Sequence, residues 1–331
     1  MDEKIKVSLP QNVLDALKKD CGDFKIVKAN GQPNMNAFIN TLIVNFYQTF
    51  SAAEESFQQS VKNALALIPE RYREKAFLDV IKIAAKKGEL QEDKKQTTTF
   101  SFKPTKNSKQ ALLHIEEILL QSESLSSFYR RLFTAYVQKT KNEREKIIHK
   151  DVFVLLQKAI KQKLAVSLRL QSGTIFNHLS VYAIAPAKDE LFNYVLGYNN
   201  KNNITLRLAS VETVSLSSES SYIPEENQRL FERQIACAAQ FPIYNTDNEP
   251  IQVQLTEKGK KLFDKIYLYR PSPISIQGDV YTFDCSANQL IYYFERFGEN
   301  ALILSPKKLG IFMRNYYHFA LKKYKTIYKE Q

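Results

Sequence analysis

Two short stretches of this chain alternate strictly between apolar and polar residues, and each is followed by a proline and then by apolar residues at helical spacing. In Lys4-Ile5-Lys6-Val7-Ser8-Leu9 the residues Ile5, Val7 and Leu9 fall on one face and Lys4, Lys6 and Ser8 on the other, the pattern of a half-buried strand. Pro10 then opens a helix through Val13, Leu14 and Leu17 that ends near Cys21-Gly22. Asn34 is placed to cap a second helix, whose apolar face is Phe38, Ile39, Leu42, Ile43 and Phe46. The second copy starts at Thr97-Thr98-Thr99-Phe100-Ser101-Phe102, passes Pro104 and a helical face of Leu112, Leu113, Ile115, Ile118 and Leu119, and reaches a helix over Ser127–Phe133 capped by Ser124 or Ser126. The copies share one register, since 128 minus 38 (Phe128, Phe38) and 132 minus 42 (Leu132, Leu42) both equal 90. A lone strand has unpaired edges and cannot complete a core, so the economical solution pairs the two strands antiparallel with four helices beneath them.

Strand, proline, helix, loop and capped helix within about 50 residues resembles the ribbon-helix-helix fold. The resemblance implies units over residues 1–50 and 96–150, separated by a helical linker over 51–95 with an amphipathic stretch from Arg71 to Lys87. It also implies that one chain supplies both halves of a ribbon that two chains ordinarily supply. The outward residues are then Lys4, Lys6, Ser8, Thr97, Thr99 and Ser101, and the helix starts near Asn34 and Ser126 offer N–H groups to phosphate. A ribbon of this kind reads DNA, or it is a bare scaffold, since four of its six outward residues are small hydroxyls without the bidentate reach of arginine.

Charge is distributed unevenly. The chain of 331 residues carries 47 Lys+Arg against 35 Asp+Glu, net +12. Residues 1–150 hold 25 basic and 18 acidic side chains (+7), residues 151–306 hold 15 and 16 (−1), and residues 307–331 hold seven and one (+6). Positive ends around a neutral middle favour a polyanionic partner, with plain solubility as the alternative. Enzyme signatures are missing: the four histidines (His114, His149, His178, His318) have no HExxH or CxxC context, and no GxGxxG, GxxxxGK[ST] or GxSxG occurs. No catalytic residue, metal or cofactor is therefore expected. Three scattered cysteines, a charged start (MDEKIKVSLP) and no apolar run of membrane-spanning length fit a cytoplasmic protein without a membrane partner.

Past Asp151 the pattern changes to a helix, Val152 to Lys163, and short strands over Leu164–Leu170, Ile175–Ile184, Phe192–Tyr198 and Ile204–Leu208, the mark of a small barrel. Phe192-Asn193-Tyr194-Val195-Leu196-Gly197-Tyr198 resembles the WYL domain, with Asn193 where the family has Trp. Arg207-Leu208-Ala209-Ser210-Val211 keeps the first Arg of a later family strand, and Tyr182 is kept upstream. The resemblance implies an Sm-like barrel over 151–220 that senses nucleotides or nucleic acid, with His178, Tyr182, Tyr194 and Arg207 as the ligand pocket. Read from chemistry alone, Arg207 can pair with phosphate and the tyrosines can stack on a base, or the tyrosines are core, Arg207 a surface ion pair and His178 structural.

Residues 221–331 run helix, strand Ile251–Leu255, helix Lys260–Leu268, strand Val280–Asp284, helix Ala287–Phe297, an apolar strand within Gly298–Pro306 and a long helix Leu309–Lys329. This looks like the ferredoxin-like C-terminal extension of WYL proteins, so the fold class is multidomain α+β. Together with Leu255-Thr256-Glu257-Lys258-Gly259, Arg270-Pro271 and the run from Tyr292 through Gly298 to Pro306, it is similar to the WYL accessory proteins of type VI-D, RNA-targeting CRISPR systems. That resemblance implies a non-enzymatic homodimer, joined through the C-terminal domain, that binds single-stranded RNA and increases RNA cleavage by a CRISPR effector nuclease. In the last helix Arg314, Lys322, Lys323 and Lys325 are interleaved with Tyr316, Tyr317, Tyr324 and Tyr328, cations for phosphate beside rings for stacking, while Phe312 and Phe319 are expected to pack. The other reading of the whole chain is a repressor whose ribbon reads DNA and whose barrel senses a ligand.

Overall fold

A computed structural model describes residues 4–88, 97–120, 123–189, 191–244, 247 and 249–328; the end of the expected linker and Lys329 lie outside the described residues. The chain divides into two units, Met1–Lys150 and Asp151–Gln331. In the first, β1 (Ile5–Pro10) pairs antiparallel with β2 (Thr97–Phe102), Ile5 opposite Phe102 and Pro10 opposite Thr97. Alternation places Val7, Leu9 and Phe102 in the core. Around them stand α1 (Gln11–Asp23), α2 (Met35–Ala64), α3 (Glu70–Gly88), α4 (Lys109–His114), α5 (Leu125–Val137) and α6 (Lys141–Ile148).

The spacing of 90 residues is visible in the packing. Phe38, Ile39, Leu42, Ile43 and Phe46 on α2 are buried, and so are their counterparts Phe128, Tyr129, Leu132, Phe133 and Tyr136 on α5. Phe38 and Phe46 both meet Tyr136 edge-on, at 6.3 and 6.2 Å between ring centroids. Two expectations are corrected here. No boundary falls at residue 50, because α2 runs unbroken for 30 residues from Met35 to Ala64; Phe50 still packs on Phe128 there, at 5.8 Å. The face read over 112–119 is only half buried: a π-helical turn, Ile115–Leu119, follows α4, and its wider winding rotates the face. Leu112 and Ile115 are buried, whereas Leu113 and Ile118 are exposed.

One carboxylate in this core titrates abnormally. Asp20 is buried on α1, accepts from Tyr136 Oη at 3.2 Å and pairs with Arg144 at 2.9 Å. Burial outweighs Arg144 and the tyrosine, raising its pKa from 3.8 to about 6. A raised carboxyl pKa means that the folded state holds the proton more tightly. This stabilisation is full below about 3.8 and disappears as pH rises through about 6. At pH 5 Asp20 should therefore contribute about 1 kcal/mol more stability than at pH 7. Urea melts at the two pH values should show that difference, and Asp20→Asn should abolish it; an identical pH dependence in the variant counts against the assignment.

The second unit begins with α7 (Lys150–Gln162), starting two residues before the expected Val152, and a five-stranded antiparallel sheet: β3 (Leu164–Leu170), β4 (Ile175–Pro186), β5 (Asn193–Tyr198), β6 (Asn203–Arg207) and β7 (Val211–Ser220). Their order is β6-β5-β4-β3-β7. A single 3-10 turn, Leu208–Ser210, joins the edge strands β6 and β7. Four residue steps span at most about 14 Å, so the edges lie side by side and the sheet is rolled. Its inside is Val166, Leu168, Leu179, Val181, Val195, Leu208 and Val211, closed by Leu156 and Ala159 of α7. The strand β7, VETVSLSSES, is not legible from alternation, because a bulge between Val211 and Thr213 breaks the pattern before a serine-rich end. Gly197 in the Tyr-Val-Leu-Gly-Tyr run is forced by close approach: a Cβ there would lie 2.9 Å from the Ser180 carbonyl oxygen.

After α8 (Glu225–Cys237) come β8 (Ile251–Leu255), α9 (Glu257–Lys265), β9 (Pro273–Gln277), β10 (Val280–Phe283), α10 (Ala287–Phe294), β11 (Ala301–Ser305) and α11 (Lys307–Ile327). The strands form an antiparallel sheet in the order β11-β8-β10-β9. Phe263, Phe283, Tyr293, Phe294 and Phe297 fill its core. The Leu-Thr-Glu-Lys-Gly motif has a packing reason. Thr256 caps α9 by accepting from Gly259 N at 3.0 Å and donates to Asn300 Oδ1 at 2.9 Å. A Cβ on Gly259 would fall 2.2 Å from the Asn300 carbonyl oxygen, so this turn and the Gly-Glu-Asn segment fit only with glycine.

Candidate nucleic-acid interface

The outward face of the ribbon is polar along its length. Across it Lys6 stands opposite Ser101, Ser8 opposite Thr99 and Pro10 opposite Thr97, with Lys4 before the strand. Lys4, Lys6, Thr97, Thr99 and Ser101 are exposed and Ser8 is partly so. The pairing thus brings these six residues onto one surface, with Lys6 on β1, Lys4 just before it, and hydroxyls facing them from β2.

The capping residues lie 90 positions apart. Asn34 Oδ1 accepts from Ala37 N at 3.1 Å, and Ser124 Oγ accepts from Ser127 N at 3.2 Å. Of the two serines read as possible caps, Ser124 therefore takes the role. Ser126 instead accepts from Ser8 N at 3.4 Å, while Arg130 Nε donates to Ser8 O at 2.8 Å. The first copy mirrors this clamp: Asn36 Oδ1 accepts from Lys103 N at 2.7 Å, and Asn40 Nδ2 donates to Lys103 O at 3.0 Å. Each capped helix thus grips the strand segment of the other copy. Asn36, Asn40 and Arg130 carry no role in the sequence, and Ser126 only that of a possible cap, although 126 minus 36 and 130 minus 40 equal 90 and could have exposed the clamp.

In the rolled sheet three of the four expected ligand residues lie together: Tyr194 on β5 stands directly opposite Arg207 on β6 and shares a packed cluster with Tyr182 on β4, while His178 pairs with Glu219 of β7. His178 Nδ1 lies 3.0 Å from Glu219 Oε2 of β7. Tyr182 stacks on Phe231 of α8 at 5.2 Å and reaches Glu232 at 3.3 Å, and Tyr194 packs in the same cluster. Burial, followed by Glu232, pushes the Tyr182 phenol above its ordinary pKa. Arg207 lies over the Phe192 ring, 3.4 Å from its centroid. The tyrosines serve helix packing at one stretch of β4 and β5, and His178 serves the β4 end next to β7.

The last helix separates into a packed and a solvated half. Leu309, Met313 and Tyr317 face the sheet core, and Tyr317 Oη donates to Glu295 O at 2.9 Å. Phe312 and Phe319 are 52% and 64% exposed, so of the two packings expected for them, in the core or in a dimer interface, the core of this chain is not one they join. From His318 to Tyr328 every residue is exposed, including Lys322, Lys323, Lys325, Tyr324 and Tyr328, with the last two rings stacked at 6.4 Å. Arg314 is exposed on the preceding turns.

No family model matches the chain, and no curated protein matches it. A solved crystal structure described as a CRISPR Cas-related protein superposes on it with a TM-score of 0.68 at 18% identity, covering 98% of this chain and 95% of that one. The two share a fold. Proteasome accessory factor B/C of Arthrobacter aurescens aligns over 68% of this chain and 39% of its own, at 16% identity and a TM-score of 0.23; that score carries no argument. No described helix is long and apolar enough to cross a membrane.

Proposed function

We propose that this chain is a non-enzymatic, cytoplasmic accessory of a CRISPR effector nuclease that binds single-stranded RNA as a homodimer. The carrying observation is the solvated end of α11, where Lys322, Lys323 and Lys325 alternate with the exposed rings of Phe319, Tyr324 and Tyr328. Stacking rings beside mobile cations suit an unstructured strand, whose bases present their faces and whose phosphates lie close by. The shared fold with a CRISPR Cas-related protein supports the setting. On this reading unit one is a tandem ribbon-helix-helix, the rolled sheet a WYL barrel and the β8-to-β11 sheet a ferredoxin-like extension that joins two copies. Purified protein should bind unstructured RNA with an affinity that falls steeply with salt, and should raise RNA cleavage by its effector. Salt-insensitive or absent RNA binding together with unchanged cleavage sinks the reading.

The second reading, a transcriptional repressor, is favoured by the ribbon itself, which presents Lys4, Lys6, Ser8, Thr97, Thr99 and Ser101 on one face. Footprinting on its own upstream DNA discriminates. A protected palindrome supports the repressor, and uniform weak protection supports the RNA accessory.

A further inference from the structure

The helical hairpin formed by the end of α2 and by α3 has no core of its own. From Ser51 to Ala84 no side chain is buried. Yet Phe57, Leu67, Tyr72, Leu78 and Ile83 lie in this stretch, 46% to 96% exposed. The turn between the helices is closed locally, by Arg73 Nη2 donating to Ala66 O at 2.7 Å. Helices of this length gain most of their stability from an apolar face packed against another element, so a hairpin with so little buried calls for a cover.

The outer stripe of α3 is basic. Arg71, Lys75, Leu78 and Lys82 recur at steps of four, three and four residues, which puts them on one helix face, and all four are exposed. Glu74 and Asp79 border the stripe. Arg71 lies in the first turn and Lys75 in the next, at the end of α3 that already carries positive charge. The reverse arrangement occurs on α4, which winds on from Lys109 into the π turn, with Leu120 N bonded to Ile115 O at 3.0 Å. Leu113, Glu116, Glu117 and Ile118 are exposed there, while Leu112 and Ile115 face the core. Glu116 and Glu117 sit in the last turn, where a helix presents its negative end. None of these five stripe and last-turn charges (Arg71, Lys75, Lys82, Glu116, Glu117) is in an ion pair among the described residues.

Each face therefore offers what the other lacks. Cations surround an exposed leucine on α3, acids stand beside an exposed leucine and isoleucine on α4, and both charge sets oppose the dipole of their own helix. We propose that the α2–α3 hairpin of one copy docks on the α4 and π-turn face of a second copy, and reciprocally. Twofold symmetry makes this contact twice, doubling the area that one small face buries. The contact lies wholly in the N-terminal unit and does not depend on what α11 binds or on the C-terminal joint between copies.

Sedimentation of the full-length chain over a range of concentrations tests it with two variants. Lys75→Glu with Lys82→Glu makes the hairpin acidic; Glu116→Lys with Glu117→Lys makes the α4 face basic. Each variant alone sets like charges against each other and should self-associate about tenfold more weakly than the parent, or less. An equimolar mixture pairs reversed hairpin with reversed α4 face and parental hairpin with parental face, so it should regain the parental association. That recovery would also show that both variants fold. Monomeric variants whose mixture dimerises would make this contact the dimer and sink the C-terminal joint; dimeric variants whose mixture regains a larger species would add this contact to that joint. A monomeric parent, variants that associate like the parent, or a loss that the mixture does not recover would each overturn the proposal.

Discussion

Asn40→Leu is expected to destabilise the N-terminal unit by about 3 kcal/mol, seen as an earlier midpoint in urea unfolding. Asn40 is 3% exposed, and its amide is shared among four backbone and side-chain groups. Nδ2 donates to Asn36 O at 2.7 Å and to Lys103 O at 3.0 Å, while Oδ1 accepts from Thr105 N at 3.1 Å and from the Ser108 hydroxyl. Leucine keeps the volume and removes all four bonds at once, so that Thr105 N and Ser108 Oγ keep only the bonds within the Thr105–Ser108 turn and the tie from α2 to this segment is lost. Arg130, at the equivalent place in the other copy, makes one such bond, to Ser8 O, and is only partly buried. Arg130→Ala should therefore cost about 1 kcal/mol, since water can replace the lost donor. Equal losses at the two positions, or a loss below about 1 kcal/mol at Asn40, would falsify the clamp as the element that joins the copies.

Replacing Lys322, Lys323 and Lys325 together with Ala is expected to weaken binding to unstructured RNA by about tenfold to a hundredfold at physiological salt. The three side chains are exposed on the solvated end of α11 and make no contact on which the fold depends. If each meets a phosphate, the slope of log affinity against log salt should flatten by about 2, since a single strand contributes roughly 0.7 per contact. Tyr324→Ala should also weaken binding, by about tenfold, while leaving the slope unchanged, because stacking releases no counterions. A triple variant with the parental salt slope would assign this helix end to dimer packing. Sedimentation of the same variant should then show dissociation, whereas the RNA reading expects an intact dimer.

Elements with a periodic signal were legible without coordinates. The strand β8 has the bounds read from alternation, and β1, β2 and β11 follow it closely. The helices on the apolar faces of 38–46 and 128–136 bury the residues that the 90-residue spacing brings into register. Strand β7 was missed because a bulge between Val211 and Thr213 breaks its alternation, leaving only Val214 and Leu216 to continue the inward face before a serine-rich end, although it closes the rolled sheet. Strand β9 was missed for a related reason: Ile274 and Ile276 are exposed on an edge strand and mark no buried face. The unit boundary expected at residue 50 is crossed by α2, where Phe50 finds its partner on α5, a contact between positions far apart in sequence. The packing of Tyr182 and Tyr194 against Phe231 of α8 likewise joins positions that spacing does not connect.

By itself the sequence determined local periodicity, capping, the repeat and the partition of charge into +7, −1 and +6, because each depends on residues close together or on composition. Only the tertiary structure decided which polar atoms are buried without partners. Gln289 Oε1, both amide atoms of Gln240 and Asp189 Oδ2, which find no hydrogen-bond partner among the described residues, lie on three separate stretches of chain, and desolvation is a property of what surrounds an atom, not of its neighbours in the chain. In α11 the helix and its cations were readable from spacing, but which turns are packed and which stand in water follows from where the β8-to-β11 sheet ends.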